Sequence, residues 1–451
     1  MLLPLPPPPQ QPMLQPPPTY SPSADVPSYS VAPGPSERTL AATARSRRRT
    51  PSGVFVRSNN LISIALRGQE EDTELPSYGR HGMICGDVGL SCTQGIQSVY
   101  IKVEGQLHLA SPEGSSADSM FFGVGHDLWS TRRSRRSADD DADDSSAESC
   151  PSMFPFEIVL PDTFTDNGGR RSYLPPSFDV PYSDAADIRA QCNYLLRVVV
   201  ERKGHKLSLW KLHKKLIVPF AYHPRTRPPQ PILSSPFPFL STVKTLPEEW
   251  FQITSTMDSK ANSDLEPIDC HLFIPVVQTF ALADKIPFFL QLIAPSKSLQ
   301  SFLYSTIPAH TNLKRSKSMA AETSAPPTVR VHLLRQIIIV LNGQLSIRKF
   351  SIGEGNLRSL PPGASPSMLR SRSLDSGLST LDYEGEVRAN SDITAGQFGI
   401  SQLQVRDFIT TYLAPPNPWA SPLNIHQHSH PIRLATDRCT ENVDNEAYTL
   451  S

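Results

Sequence analysis

The residues best suited to specific chemistry stand near the front of the chain. Pro17-Pro18-Thr19-Tyr20 is a P-P-x-Y segment, flanked by Pro16 and Pro22. Consecutive prolines hold the backbone in an extended polyproline II helix before any partner arrives. Such a ridge loses little entropy on docking into an aromatic-lined groove of the WW-domain type, and the tyrosine ring fills a second pocket. Val26-Pro27-Ser28-Tyr29 and Leu75-Pro76-Ser77-Tyr78 repeat the spacing with an aliphatic residue in place of the first proline. The candidate WW-binding residues are therefore Pro17, Pro18, Tyr20, Pro27, Tyr29, Leu75, Pro76 and Tyr78. Tethered weak sites reinforce one another, because the second docking event is intramolecular.

Two further repeats are basic and carry serines: Arg315-Ser316-Lys317-Ser318 and Arg370-Ser371-Arg372-Ser373. Phosphorylation would add about −1.5 to −2 charges per site beside arginines. Ser316, Ser318, Ser371 and Ser373 are candidate phosphorylation sites, suited to a basophilic kinase and to a phosphoserine-reading partner such as a 14-3-3 protein. His426, His428 and His430 alternate and would share one strand face. A surface strand or connector accounts for them, so no metal site is assigned. The chain carries no phosphate-binding G-x-x-x-x-G-K-S/T loop, G-x-S-x-G elbow, H-E-x-x-H helix or G-x-G-x-x-G turn. The expectation is a protein that is not an enzyme and needs no cofactor.

These segments must hang on a scaffold. Lys and Arg number 43 and Asp and Glu 43, so no net field draws the chain to nucleic acid or membrane. Proline is abundant and clustered, which implies ordered blocks separated by extended segments. Thirteen prolines fall before position 36, and residues 1–51 read as a disordered tail ending in the basic Arg45–Arg49 stretch. No apolar run reaches the roughly 18–20 residues of a membrane-spanning helix. Six cysteines without C-x-x-C spacing fit a reducing, cytoplasmic setting.

The organising stretch of the scaffold is Ile96–Leu109. Val99, Ile101, Val103, Leu107 and Leu109 fall on one face with Gly105 in step, and polar residues fall on the other. Period-two alternation is a half-buried strand. The same alternation appears at Phe154–Leu160, Tyr194–Val200, Cys270–Val276 and Val329–Leu341. With short runs elsewhere and no long amphipathic helix, the fold class is all-β: two consecutive immunoglobulin-like sandwich lobes. The expected boundaries are 52–227 and 239–440, joined by a proline-rich linker, with a tail at 441–451. Low-complexity composition, including DDDADD at 139–144, predicts a disordered insertion in the first lobe at about 111–152. Two more are expected in the second lobe, at about 310–327 and 354–392.

Several runs, in order, resemble the arrestin-like family, specifically the fungal α-arrestins. They are Gly86–Leu90 (GDVGL), Ser98–Gly105 (SVYIKVEG), Pro155–Pro161 (PFEIVLP), Leu174–Phe178 (LPPSF), Tyr222–Pro229 (YHPRTRPP) and His430–Asp437 (HPIRLATD). The resemblance spans roughly residues 52–440, and none of these runs is a catalytic signature. It implies an N-lobe and a C-lobe that recognise cytoplasmic segments of plasma-membrane transporters or receptors. It also implies that the tyrosine motifs recruit a WW-domain HECT-type ubiquitin ligase, so that cargo is ubiquitinated and internalised. Peripheral recruitment to plasma membrane or endosomes follows. Many family members carry these motifs at the back of the chain, whereas here they stand at the front. The alternative is a structural sorting scaffold of the retromer-subunit kind, which shares the two-lobe layout and needs no ligase.

Overall fold

A strand with one greasy face needs a second layer to bury it, and the chain supplies one. The computed structural model describes residues 51–131, 149–166, 169–180, 188–203, 212–232, 242, 245–304, 326–360 and 377–439. Within them the protein is all-β, arranged as two consecutive sandwich lobes. Pro17, Pro18, Tyr20, Pro27, Tyr29, Ser316, Ser318, Ser371 and Ser373 lie outside the described residues, as do most of the expected tails and of the loop at 310–327.

The first lobe contains twelve strands. They are β1 (Gly53–Ser58), β2 (Ile62–Gln69), β3 (Ser77–Tyr78), β4 (Met83–Leu90), β5 (Ile96–Ala110), β6 (Ser116–Ser130), β7 (Met153–Val159), β8 (Thr163–Thr165), β9 (Arg171–Tyr173), β10 (Phe178–Val180), β11 (Arg189–Arg202) and β12 (Leu212–Tyr222). One sheet runs β1-β2-β4-β7 and the other β3-β12-β11-β5-β6. The organising strand is the central β5, paired with β11 on one side and β6 on the other. Val99, Ile101, Val103, Leu107 and Leu109 are 2% exposed or less and face Ile62, Ile64, Leu66, Ile84 and Val88 of the other sheet in one cluster. Each such side chain contributes roughly 1.5–3 kcal/mol, an upper figure because unfolded chains already bury some surface.

The insertion expected at 111–152 is corrected over its first half: residues 116–130 form β6, paired with β5 along its length. Bulges between Val99 and Tyr100 and between Gly105 and Gln106 each shift the pairing by a residue. A parity change of this kind erases the period-two pattern. Gly105 is in step with apolar residues for a steric reason. A β-carbon there would come within 2.5 Å of the Phe121 ring, which packs edge-on against Tyr194 at 5.8 Å. The Tyr194 hydroxyl in turn donates to the carbonyl of Pro175 at 2.6 Å, pinning the LPPSF run against the sheet.

The second lobe contains β13 (Trp250–Met257), β14 (Ile268–Pro275), β15 (Thr279–Ala281), β16 (Ile286–Pro295), helix α1 (Ser296–Leu303), β17 (Thr328–Leu341), β18 (Gln344–Ser359), β19 (Leu378–Val387), β20 (Phe398–Ile400), β21 (Leu403–Ala414) and β22 (His426–Ala435). Its hydrogen-bonded path is β13-β14-β16-β19-β18-β17-β21-β22-β15. The path folds over at β18, whose residues 344–354 pair with β17 and 355–359 with β19. The insertion expected at 354–392 is therefore corrected as well, since β18 continues to Ser359 and β19 starts at Leu378. Glycines made this stretch look like a loop. They serve the crossover: a β-carbon on Gly353 would meet the Arg388 carbonyl at 2.1 Å, and one on Gly385 the Asn356 carbonyl at 2.0 Å. Helix α1 buries Leu299 and Phe302 against the end of this lobe.

The cores do not divide at the linker. Along β17 the residues on one face are Val331, Leu333, Arg335, Ile337, Ile339 and Leu341. Val331 and Leu333 belong to the second lobe's core, whereas Ile337, Ile339 and Leu341 complete the first lobe's. On β21, Leu403 and Val405 likewise join the first core, and Ile409 and Leu413 the second. Between them lies a buried ion pair on adjacent strands. Arg335 Nε donates to Asp407 Oδ1 at 2.7 Å and Nη2 to Oδ2 at 3.1 Å, while Nη2 also bonds the Ala395 carbonyl at 2.8 Å. A paired, hydrogen-bonded layer thus separates two apolar cores threaded by the same strands.

Candidate functional site in the cleft between the lobes

Three of the runs that carry the family resemblance end up on one cleft of about 1730 Å³. Asp162, just after PFEIVLP, faces it, LPPSF supplies Leu174 and Pro176, and YHPRTRPP and HPIRLATD line adjoining parts of the wall. The last two bond each other. Thr226 N–H donates to Thr436 Oγ1 at 2.9 Å, Thr436 N–H to Thr226 Oγ1 at 3.2 Å, and Asp437 N–H to the Thr226 carbonyl at 3.0 Å. Residues 210 positions apart are thus joined at the wall of the cleft.

The wall carries seven arginines, Arg80, Arg170, Arg171, Arg225, Arg227, Arg406 and Arg433, against four aspartates, Asp162, Asp166, Asp407 and Asp437. Asp407 is already neutralised by Arg335. Arg80 is anchored to Asp162 through Nε at 2.7 Å and Nη2 at 3.2 Å, and lies over the Tyr173 ring at 5.2 Å. The hydrogen bond from Arg80 holds the Asp162 carboxyl below its usual range. Strands β8 and β9 form a small antiparallel hairpin, with Arg170 and Arg171 at the start of β9. An excess of exposed guanidinium groups along a groove suits carboxylates or phosphates, because planar forks bind both bidentately.

The third tyrosine motif is corrected. Leu75 is exposed, but Pro76 is buried and Tyr78 is 6% exposed, inside the first core. β3 pairs in parallel with the end of β12, and the Tyr78 ring stands edge-on to Phe220 at 5.3 Å. A WW groove must close around proline and tyrosine together, and neither is accessible here. Pro76 and Tyr78 are structural residues, and Leu75 beside them is left without an accessible motif.

The three histidines lie on β22 and close the seam between its edge and β13. His426 Nε2 bonds Ser255 Oγ at 3.0 Å, His430 Nε2 bonds Gln278 Oε1 at 2.9 Å, and the His430 ring packs on Phe251 at 5.1 Å. His428 stacks on His426 at 6.5 Å. Burial, reinforced by the neighbouring His428, pushes the pKa of His426 and His430 down, with Asp258 opposing it at His426. The unfolded chain therefore takes up protons first as the pH falls below roughly 6.5. The stability these neutral rings contribute is present above that value and is lost as pH falls through the lower, folded-state values. Thermal midpoints between pH 7 and 5 should fall, and His426→Gln with His430→Gln should flatten that slope. His332, shifted down by burial on β17, contributes in the same direction. An unchanged slope in the double variant would assign the acid sensitivity elsewhere.

Burial raises the thiols of Cys192 and Cys270 to about 12, which makes them inert core residues, while Cys92 is exposed. The in-phase charges Arg335 and Asp407 went unnoticed in the sequence. Their signal is legible: one arginine interrupts the apolar face of β17, and one aspartate a face of β21 whose only other polar residue is Thr411. No helix among the described residues is long and apolar enough to cross a membrane. The chain matches no protein-family model and no curated protein.

Proposed function

We propose that this chain is a non-enzymatic, arrestin-like adaptor. Its lobes and their arginine-lined cleft take up a cytoplasmic segment of a plasma-membrane transporter or receptor. Its front-end tyrosine motifs bring a WW-domain HECT-type ubiquitin ligase to that cargo, so that catalysis belongs to the partner. The observation that carries the reading is the Pro17-Pro18-Thr19-Tyr20 motif on a chain whose two sandwich lobes enclose a basic cleft. That three of the resemblance-bearing runs converge on the cleft, though distant in sequence, supports the same reading.

The test is capture of the full chain by isolated WW domains. Tyr20→Ala combined with Tyr29→Ala should abolish capture and leave the thermal midpoint where it was, since both precede the first strand of the lobes in the chain. Undiminished capture by the double variant would reject the proposed ligase link. Exchanging Arg171 and Arg433 for glutamate should weaken cargo-segment binding without touching WW capture, which separates the two halves of the adaptor.

A further inference from the structure

The first half of β18 has a partner on one side only. Residues 344–354 pair with β17, and 355–359 pair with β19. Among the described residues no strand pairs with 344–351 on the other side. The Ile352 carbonyl, which accepts from Asn390 N–H at 2.7 Å, ends this open stretch. An unpaired edge presents backbone N–H and C=O groups to any extended chain that meets it. The hairpin turn settles which groups those are. Asn342 and Gly343 have φ of 50° and 81°, so the two-residue turn between β17 and β18 is of type I′. Leu341 and Gln344, which flank it, are then a hydrogen-bonded pair, and such pairs alternate along an antiparallel ladder. Gln344, Ser346 and Arg348 therefore bond to β17, whereas Leu345, Ile347 and Lys349 turn their N–H and C=O outward.

The side chains of that edge are equally definite. On the face shared with Val340 and Ile338 of β17 stand Leu345 and Ile347, which are 62% and 49% exposed, followed by Lys349. Large apolar side chains held in water on an ordered strand are unfavourable, so their persistence calls for an account. Val340 and Ile338 are only half-buried, so the apolar strip continues one strand inward. Beyond it the face turns basic, because Lys349, Gln336 and Arg406 form one cross-strand row. From Leu345 to Lys349 the edge spans about 14 Å and passes from apolar near the turn to cationic at its other end.

From this we infer that the open edge of β18 takes up an extended segment of a partner protein as an added antiparallel strand, with an acidic residue opposite Lys349 and apolar residues opposite Ile347 and Leu345. Antiparallel order makes that segment read acidic-x-apolar-x-apolar from its N-terminal end. Leu345, Ile347 and Lys349 each exchange two backbone hydrogen bonds with the residue opposite. The main chain then supplies affinity and the alternate side chains supply selectivity. A second copy of β18 fits the edge less well. Self-pairing about Ile347 sets Lys349 against the second copy's Leu345 and gathers Arg348 and Lys349 of both copies on one ribbon with no carboxylate between them. Self-pairing about Lys349 opposes the two ammonium groups directly. Like charges opposite one another are destabilising, and cations on an edge deter its own copies while favouring a carboxylate-bearing strand.

The inference does not depend on ligase capture or on the cleft, and its test uses neither. A fluorescein-labelled peptide, Ser-Glu-Thr-Val-Thr-Val-Ser, is titrated with the full chain and followed by anisotropy, beside the same peptide with lysine in place of glutamate. Wild type should bind the glutamate peptide saturably and the lysine peptide about tenfold more weakly. Lys349→Glu should reverse that order, an exchange that loss of structure alone does not produce. Ile347→Pro removes one outward N–H and no bond to β17, so it should abolish binding of both peptides at an unchanged thermal midpoint. No saturable binding of the glutamate peptide by wild type, an unreversed order in Lys349→Glu, or undiminished binding by Ile347→Pro would overturn the inference. So would sedimentation showing a wild-type dimer that Ile347→Pro converts to monomer, since the edge would then meet a second copy of the chain.

Discussion

Replacing Arg335 with alanine is expected to destabilise the protein by about 3–5 kcal/mol, because it strands a buried carboxylate. Arg335 and Asp407 have side chains only 3% and 0% exposed, and each satisfies the other through two short bonds. Taking both charges out of water is costly, and their attraction offsets that cost only while both are present. Truncating the arginine also leaves the Ala395 carbonyl without its donor. The measurement is equilibrium urea unfolding of the full chain. The double variant Arg335→Met with Asp407→Leu serves as the control. Two apolar residues of similar volume remove the stranded charge and extend the cores on either side, so most of the loss should be recovered. If Arg335→Ala unfolds with the wild-type midpoint, the pair between the cores is not the buried, mutually dependent element described above. If the double variant is as unstable as the single one, the pair is needed for geometry rather than for mutual neutralisation.

Tyr78→Ala should cost about 3–5 kcal/mol, the range for emptying an aromatic site in a packed core. The ring fills space beside Phe220 on the strand that ends the second sheet of the first lobe. Its hydroxyl has no hydrogen-bond partner among the described residues, so Tyr78→Phe should be close to neutral, or slightly stabilising. The contrast between the two variants, read by urea unfolding, separates lost packing from lost polarity. At temperatures where Tyr78→Ala stays folded, its capture by WW domains should equal that of wild type. Loss of capture in a folded Tyr78→Ala protein would restore Leu75-Pro76-Ser77-Tyr78 as a docking segment and contradict its burial.

The two outcomes also mark what could be read from residues alone. Strands β5, β7, β11 and β17 are visible in the sequence because each has one buried and one wet face, and alternation is the direct imprint of that environment. β6 and the end of β18, residues 354–359, are not visible. Bulges shift the parity of the first pair, and glycines admit neighbouring backbone in the second, so each has a pattern set by its partners. Tyr78 shows the same limit for a motif. Leu75-Pro76-Ser77-Tyr78 and Val26-Pro27-Ser28-Tyr29 share one spacing, yet the first is folded into a sheet. Spacing records what a segment would offer a partner, while burial decides whether it is offered.

By itself, then, the sequence determined the all-β class, the two-lobe order and the proline-tyrosine motifs at the front. These depend on local periodicity and composition, which neighbouring residues set. Tertiary structure alone decided which strands of the second lobe complete the first core. It also decided that Arg335 meets Asp407, that YHPRTRPP meets HPIRLATD, and that Leu345 and Ile347 stay exposed on β18. Each of those is a contact, or a lack of one, between residues far apart in the chain. Such relations follow from how the layers stack, and no local pattern encodes them.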